Sequence, residues 1–179
     1  MPVSDQDIKL IENIVEEKLK KLLAEKQKRM AIIASKGTLD MAYPPLILAT
    51  TAAAMDIECS IFFTFYGLDI INKKKNKNLK VPSLANPAMP VPVPNIIGAL
   101  PGMTAIATRM MKGWMKKVNV PSITDLLDIA VETGVKLVAC QMTMDVMGIK
   151  KGNLIKGIEV CGAAGFLEFA ANADITLFV

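Results

Sequence analysis

Lys136-Leu137-Val138-Ala139-Cys140-Gln141-Met142-Thr143-Met144-Asp145-Val146-Met147-Gly148 joins two patterns. The apolar run in its first half, extended back to Val135, predicts a strand buried on both faces. Its second half predicts a helix over Thr143–Met147, stopped by Gly148. Cys140 stands at the junction. In an open α/β sheet that junction lies at the carboxyl edge of parallel strands, where ligands bind. Unpaired N–H groups and the positive end of a helix dipole favour a thiolate there. The competing reading is a packed thiol, since free cysteine is among the most buried residue types.

Working outward, the same alternation recurs. Upstream, Ser122 with Asp125 reads as a capping box that opens a helix to about Thr133, and Gly134 closes it. Downstream, Ile158–Val160 is a minimal strand ending in Cys161-Gly162. A small-residue helix over Ala163–Ala173 and a terminal strand over Asp174–Val179 follow. Nearer the start, strands are expected over Arg29–Ser35 and Ile57–Phe65, with a helix over Leu39–Met55 between them and a helical turn over Leu68–Asn72. Pro44-Pro45 fit that helix only near its first turn or at a kink. Five strands alternating with helices, and no hairpin signal, call for α/β architecture. The expectation is a flavodoxin-like open parallel sheet of about five strands, in a flavodoxin-like order with right-handed crossovers and helices on both faces.

Two stretches stand apart. Residues 1–28 form an N-terminal amphipathic helix, with Ile8, Ile11, Val15, Leu19 and Leu22 on one narrow stripe among alternating charges. That stripe fits packing on its own domain or a partner helix from a second subunit. Residues 29–179 form the α/β domain, with an insertion over 73–104. There a lysine-rich loop, Lys73–Lys80, precedes six prolines between Val81 and Thr108. The uncharged run Val81–Thr108 is long enough to span a bilayer, but its prolines argue against a spanning helix. A helix over Asn95–Val118 is expected, broken or delayed by Pro101-Gly102. Met103, Met110, Met111 and Met115 beside Trp114 make it a soft core element or an adaptable surface.

Composition narrows the chemistry. The 179 residues contain no histidine, which excludes Cys-His and Ser-His catalysis and the commonest zinc ligand. No metal and no organic cofactor are expected, and neither a G-x-G-x-x-G after the first strand nor a Walker A motif is present. Three cysteines make no disulfide framework, so a reducing cytoplasm is the natural setting, and residues 4–28 are too charged for a signal peptide. One Trp, two Tyr and a net charge of +4 argue against nucleic-acid binding. A mean hydropathy of +0.38 points to two-sided burial or a large interface.

The expected topology gathers Lys36-Gly37-Thr38, Thr64–Gly67, Cys140-Gln141 and Cys161-Gly162 on one edge. Cys140 is the candidate catalytic thiol and Cys161 a secondary one. Lys36, Gly37, Thr38 and Gln141 are candidates for stabilising the anion. Cys59, inside a strand, reads as core.

The segment Ala139–Ile149 resembles the signature of the DsrE/DsrF-like family, in its larger DsrE-like branch. Ser35-Lys36-Gly37-Thr38-Leu39-Asp40, Phe62–Leu68, Ala164-Gly165-Phe166-Leu167 and Thr176-Leu177-Phe178-Val179 fit the same pattern, so the likeness spans about residues 30–179. The resemblance implies a sulfur-relay protein holding persulfide sulfur on a cysteine at the Cys140 position. It also implies oligomers, with rhodaneses, TusA-like carriers or pyridine-nucleotide disulfide reductases as partners. Two other readings stand beside a persulfide carrier or sulfurtransferase. One is a non-catalytic assembly module built on the first helix and residues 81–118. The other, less favoured, is a peripheral membrane protein using the same apolar region.

Overall fold

In the computed structural model, which describes residues 5–25, 27–82 and 102–179, the apolar runs become five strands. They are β1 (Arg29–Ala34), β2 (Glu58–Phe63), β3 (Lys136–Cys140), β4 (Ile158–Cys161) and β5 (Ile175–Phe178). All pair in parallel, in the order β4-β3-β2-β1-β5. The architecture is the expected one, an open parallel sheet of five strands with helices on both faces. The lateral order is its own: the flavodoxin order is 2-1-3-4-5, whereas here β1 to β4 step one way and the chain returns to set β5 beside β1. Alternation of strand and helix dictates parallel pairing but leaves each crossover free to step either way.

That order distributes the helices. Right-handed crossovers stepping one way keep their helices on one face, and the return step puts its helix on the other. On the first face, α2 (Leu39–Ala54) and α4 (Ile123–Glu132) cover Ile32, Ala34, Ile61, Phe63, Leu137 and Ala139, with Leu46 and Leu127 fully buried between. Each Ile, Leu or Phe among them contributes about 1.5–3 kcal/mol by leaving water. Cys59 lies on this face, 2% exposed. Helix α3 (Met103–Lys117) adds Met111 and Met115 to the same core, while Met110 and Trp114 stay exposed. On the second face, α6 (Ala163–Ala170) places Phe166 over Ala31, Phe62, Val138 and Cys140. The Phe62 and Phe166 rings stack with centroids 4.7 Å apart.

Both ends of the sheet are tied. At the amino ends, Glu58 accepts from Arg29 and Lys136, each at 2.6 Å, and so links β1, β2 and β3. The two hydrogen-bonding cations, Lys136 foremost, hold its carboxyl below the ordinary range. At the carboxyl ends, two glycines let loops close on each other. A Cβ at Gly67 would overlap the carbonyl of Ala34, and one at Gly37 would overlap the carbonyl of Tyr66.

Several boundaries shift from expectation. Strand β2 stops at Phe63, and the next turn is a 3-10 helix over Phe65–Asp69 rather than Leu68–Asn72, entered through Phe65 at φ 46°. Pro44 and Pro45 sit inside α2. Helix α3 begins at Met103, because Gly102 takes a left-handed φ of 93°. The Ser122–Asp125 capping box is present, and Gly134 adopts φ 79°. The lysine-rich loop is not wholly solvated, since Asn76 is buried. The expectations for the proline-rich piece fall on residues 83–101, outside the described residues. Helix α1 (Asp5–Glu25) leaves Ile8, Ile11 and Val15 about half exposed, with Leu10 and Ile14 likewise. Among the described side chains, the stripe residues Ile8, Ile11 and Val15 are therefore not packed on the domain.

Gly67→Ala should lower the unfolding free energy by about 1–3 kcal/mol, the usual cost of overpacking. Urea titration followed by circular dichroism measures it. Gly148→Ala, at φ 64° with nothing near a new Cβ, should cost less.

Candidate functional site

Strand register builds the site. Phe63 pairs with Ala139, so the next residues, Thr64 and Cys140, lie side by side. On the other flank Cys140 pairs directly with Cys161. The pleat turns alternate residues to one face, which puts Cys140 on the α6 side with Phe62 and Phe166. Cys140 is also the N-cap of α5 (Gln141–Met147), a helix two residues longer at its start than the sequence suggests. Gly148 closes α5 at φ 64°, and Ile149 N–H returns to the carbonyl of Met144 at 2.8 Å.

The Cys140 thiol is 3% exposed, and burial pushes its pKa up. Hydrogen bonds outweigh that: the hydroxyl and N–H of Thr143, the hydroxyl of Thr64 and the N–H of Met142 all favour the thiolate, and the pKa falls below the ordinary cysteine value. The two threonine hydroxyls are 3.0 Å apart, and Phe65 N–H donates to Thr143 Oγ1 at 3.4 Å. The left-handed backbone at Phe65 aims that N–H. Thr64 and Thr143 are the site residues that sequence reasoning did not single out. Their signals were a threonine just past the second strand, in step with Cys140, and a threonine at the third position of the following helix.

Cys161 is part-exposed, and its thiol is shifted the other way. Burial comes first, then the negative charges of Cys140 and Glu159; the Phe166 N–H opposes them. Cys59 is pushed up to about 12 by burial alone, on the opposite face.

The remaining candidates lie elsewhere. Lys36, Gly37 and Thr38 follow β1, which is two strands from β3. They line a separate open cleft of about 690 Å³ with Tyr66, Lys74, Lys75 and Lys80. Gln141 follows Cys140 directly, but its amide donates to Asp145 Oδ1 at 2.8 Å. None of these four is among the groups that shift the Cys140 thiol. Among the described residues no cluster of three or more cysteines and carboxylates is placed to hold a metal ion, and no helix is long and apolar enough to cross a membrane.

A parallel sheet covered on both faces, with a cysteine of lowered pKa closing an interior strand, defines a thiol protein of the α/β class. The chain belongs to the DsrE/DsrF/DrsH-like family, whose model matches residues 26–178. It is 50% identical over 159 residues to the sulfur carrier protein DsrE2 of Allochromatium vinosum, covering 86% of this chain and 99% of that protein. It is 33% identical over 160 residues to the uncharacterised protein YrkE of Bacillus subtilis, covering 88% and 100%. The crystal structure of the YchN protein from E. coli shares the fold, with a TM-score of 0.52 at 16% identity, covering 86% of this chain and all of that one.

Alkylation with iodoacetamide should rank the thiols Cys140, then Cys161, with Cys59 unreactive in the folded chain. Thr143→Val removes one hydroxyl donor to the thiolate, an interaction of about 1.5–3 kcal/mol for a charged acceptor, so labelling of Cys140 near pH 6.5 should slow about tenfold. An unchanged pH profile would remove Thr143 from the site.

Proposed function

We propose that this protein carries sulfane sulfur as a persulfide on Cys140. The observation that supports this reading best is a strand-end thiol at the N-cap of α5 whose pKa the neighbouring polar groups hold below the ordinary value, in a chain that has no histidine to act as its base. Such a thiolate is a nucleophile near neutral pH. It attacks the outer sulfur of a donor persulfide. The bond from Cys140 Sγ to that sulfur forms, the donor S–S bond breaks, and the donor leaves as a thiolate. An acceptor thiolate then takes the outer sulfur from Cys140 in the same way, and Cys140 is regenerated. The balance needs no external oxidant and no resident cofactor. The name of the relative from Allochromatium vinosum, a sulfur carrier, points in the same direction.

Donor and acceptor are other sulfur-relay proteins in this reading, of the rhodanese, TusA-like or disulfide-reductase kinds. Exposed apolar side chains on the elements that hold Cys140, namely Phe65, Tyr66, Met142 and Val146, give such a partner a contact surface. The exposed Ile8, Ile11 and Val15 on α1 favour self-association, so the carrier is a homo-oligomer in this reading, and its three free cysteines fit a reducing cytoplasm. The lysines of the separate cleft, Lys36 among them, act on the approach of an anionic partner rather than on the sulfur.

Incubation with polysulfide followed by mass spectrometry should add one sulfur atom to the chain and map it to Cys140. Cys140→Ser should abolish loading with fold retained, Cys59→Ser should leave it nearly unchanged, and Cys161→Ser should reduce it at most partly. Full loading of the Cys140→Ser variant would sink the mechanism. Separately, removal of residues 1–28 should lower the subunit number in light scattering; a full-length monomer at micromolar concentration would refute self-association.

A further inference from the structure

Cys140 and Cys161 are register partners on adjacent parallel strands and point to the same face of the sheet. Adjacent strands lie about 4.8 Å apart, inside the span of about 4.4–6.8 Å between α-carbons that a disulfide accepts. The space around Cys161 is also prepared. Gly165, on α6, leaves the Cys161 sulfur uncrowded: a Cβ there would come within 3.4 Å of Sγ and 3.3 Å of Cβ. Cys161 is part-exposed where Cys140 is buried, so it sits on the side from which a bound sulfur is reached.

From this juxtaposition we propose that Cys161 is a resolving thiol, which discharges the sulfur held on Cys140 as hydrogen sulfide and leaves a Cys140–Cys161 disulfide. The proposal rests on the persulfide reading of Cys140 and adds to it a second exit for the sulfur, besides transfer to an acceptor protein. The Cys161 proton passes to the terminal sulfur of the persulfide. The Cys161 sulfur then attacks Cys140 Sγ. The new Sγ–Sγ bond forms, the bond from Cys140 Sγ to the terminal sulfur breaks, and that sulfur leaves as HS⁻. The Cys161 sulfur is oxidised by the step and the terminal sulfur is reduced by the same amount, so no outside oxidant enters. A dithiol reductant must then reopen the disulfide before the next load, which is the chemistry of a disulfide reductase or a small dithiol carrier. Cys59 takes no part, being on the other face and buried.

The test loads the full chain with polysulfide without oxygen, removes the excess, and follows two quantities: sulfide released, and peptides linking residues 140 and 161. The wild type should release about one sulfide per loaded chain and yield the linked peptide; Cys161→Ser and Cys161→Ala should load at Cys140 yet hold the sulfur about tenfold longer, since they lose an intramolecular nucleophile. Loading at Cys140 in these variants itself reports that they fold. Equal release from wild type and both variants, with no linked peptide, overturns the resolving role and leaves the carrier reading intact. Failure of the Cys161→Ser and Cys161→Ala variants to load at Cys140, with no sulfide released by the wild type, overturns both.

Discussion

The site depends on one constraint, the common register of β2, β3 and β4. Parallel pairing fixes which residues lie side by side, and here it brings Thr64, Cys140 and Cys161 into one row. A slip of one residue would turn the Cys140 sulfur to the opposite face, the one that carries Cys59, and away from Phe166. The register is secured at the amino ends by Glu58 between Arg29 and Lys136, and near the carboxyl ends by loops that close only because Gly37 and Gly67 lack a Cβ. The fold's stability and the arrangement of its sulfur atoms are therefore one property.

Neutral dipoles lower the pKa of Cys140, and no lysine is among the groups that do so. That bears on the carrier role proposed above. A lysine ion-paired to the sulfur would stabilise a thiolate and a persulfide alike but would also hinder the approach of a second thiol. The groups that lower the Cys140 pKa, Thr143, Thr64 and Met142, come from its own helix start and the loop after β2, while Cys161 flanks it on the other strand.

Much of the architecture was legible in the sequence because it is written in local pattern. Apolar runs bounded by glycine gave the strands, and the Ser122–Asp125 box marked its helix start. Cys140 was legible for the same reason, standing where one period ends and another begins. Lateral strand order was not, because nothing local tells a crossover which way to step. The expected flavodoxin order carried into the site: it sets β1 beside β3 and so Lys36 near Cys140, whereas β2 stands between them and brings Thr64 there instead. The capture of Gln141 by Asp145 was equally hidden, being a choice between two hydrogen-bond partners that spacing does not decide.

The two faces of the sheet are covered very unequally. Helix α2 buries side chains along its length, from Leu39 to Ala52, whereas α6 has eight residues and fully buries Phe166 alone. Local opening free energy follows buried apolar area. The helix over the sulfur-bearing face is thus more cheaply lifted than α2, since Phe166, stacked on Phe62, is its one fully buried side chain, with Phe169 and Ala170 only partly covered. Amide protons of α6 should exchange with solvent well before those of α2. The residence time of any sulfur stored beneath it is then a matter of how often one short helix breathes, with the rest of the fold standing still.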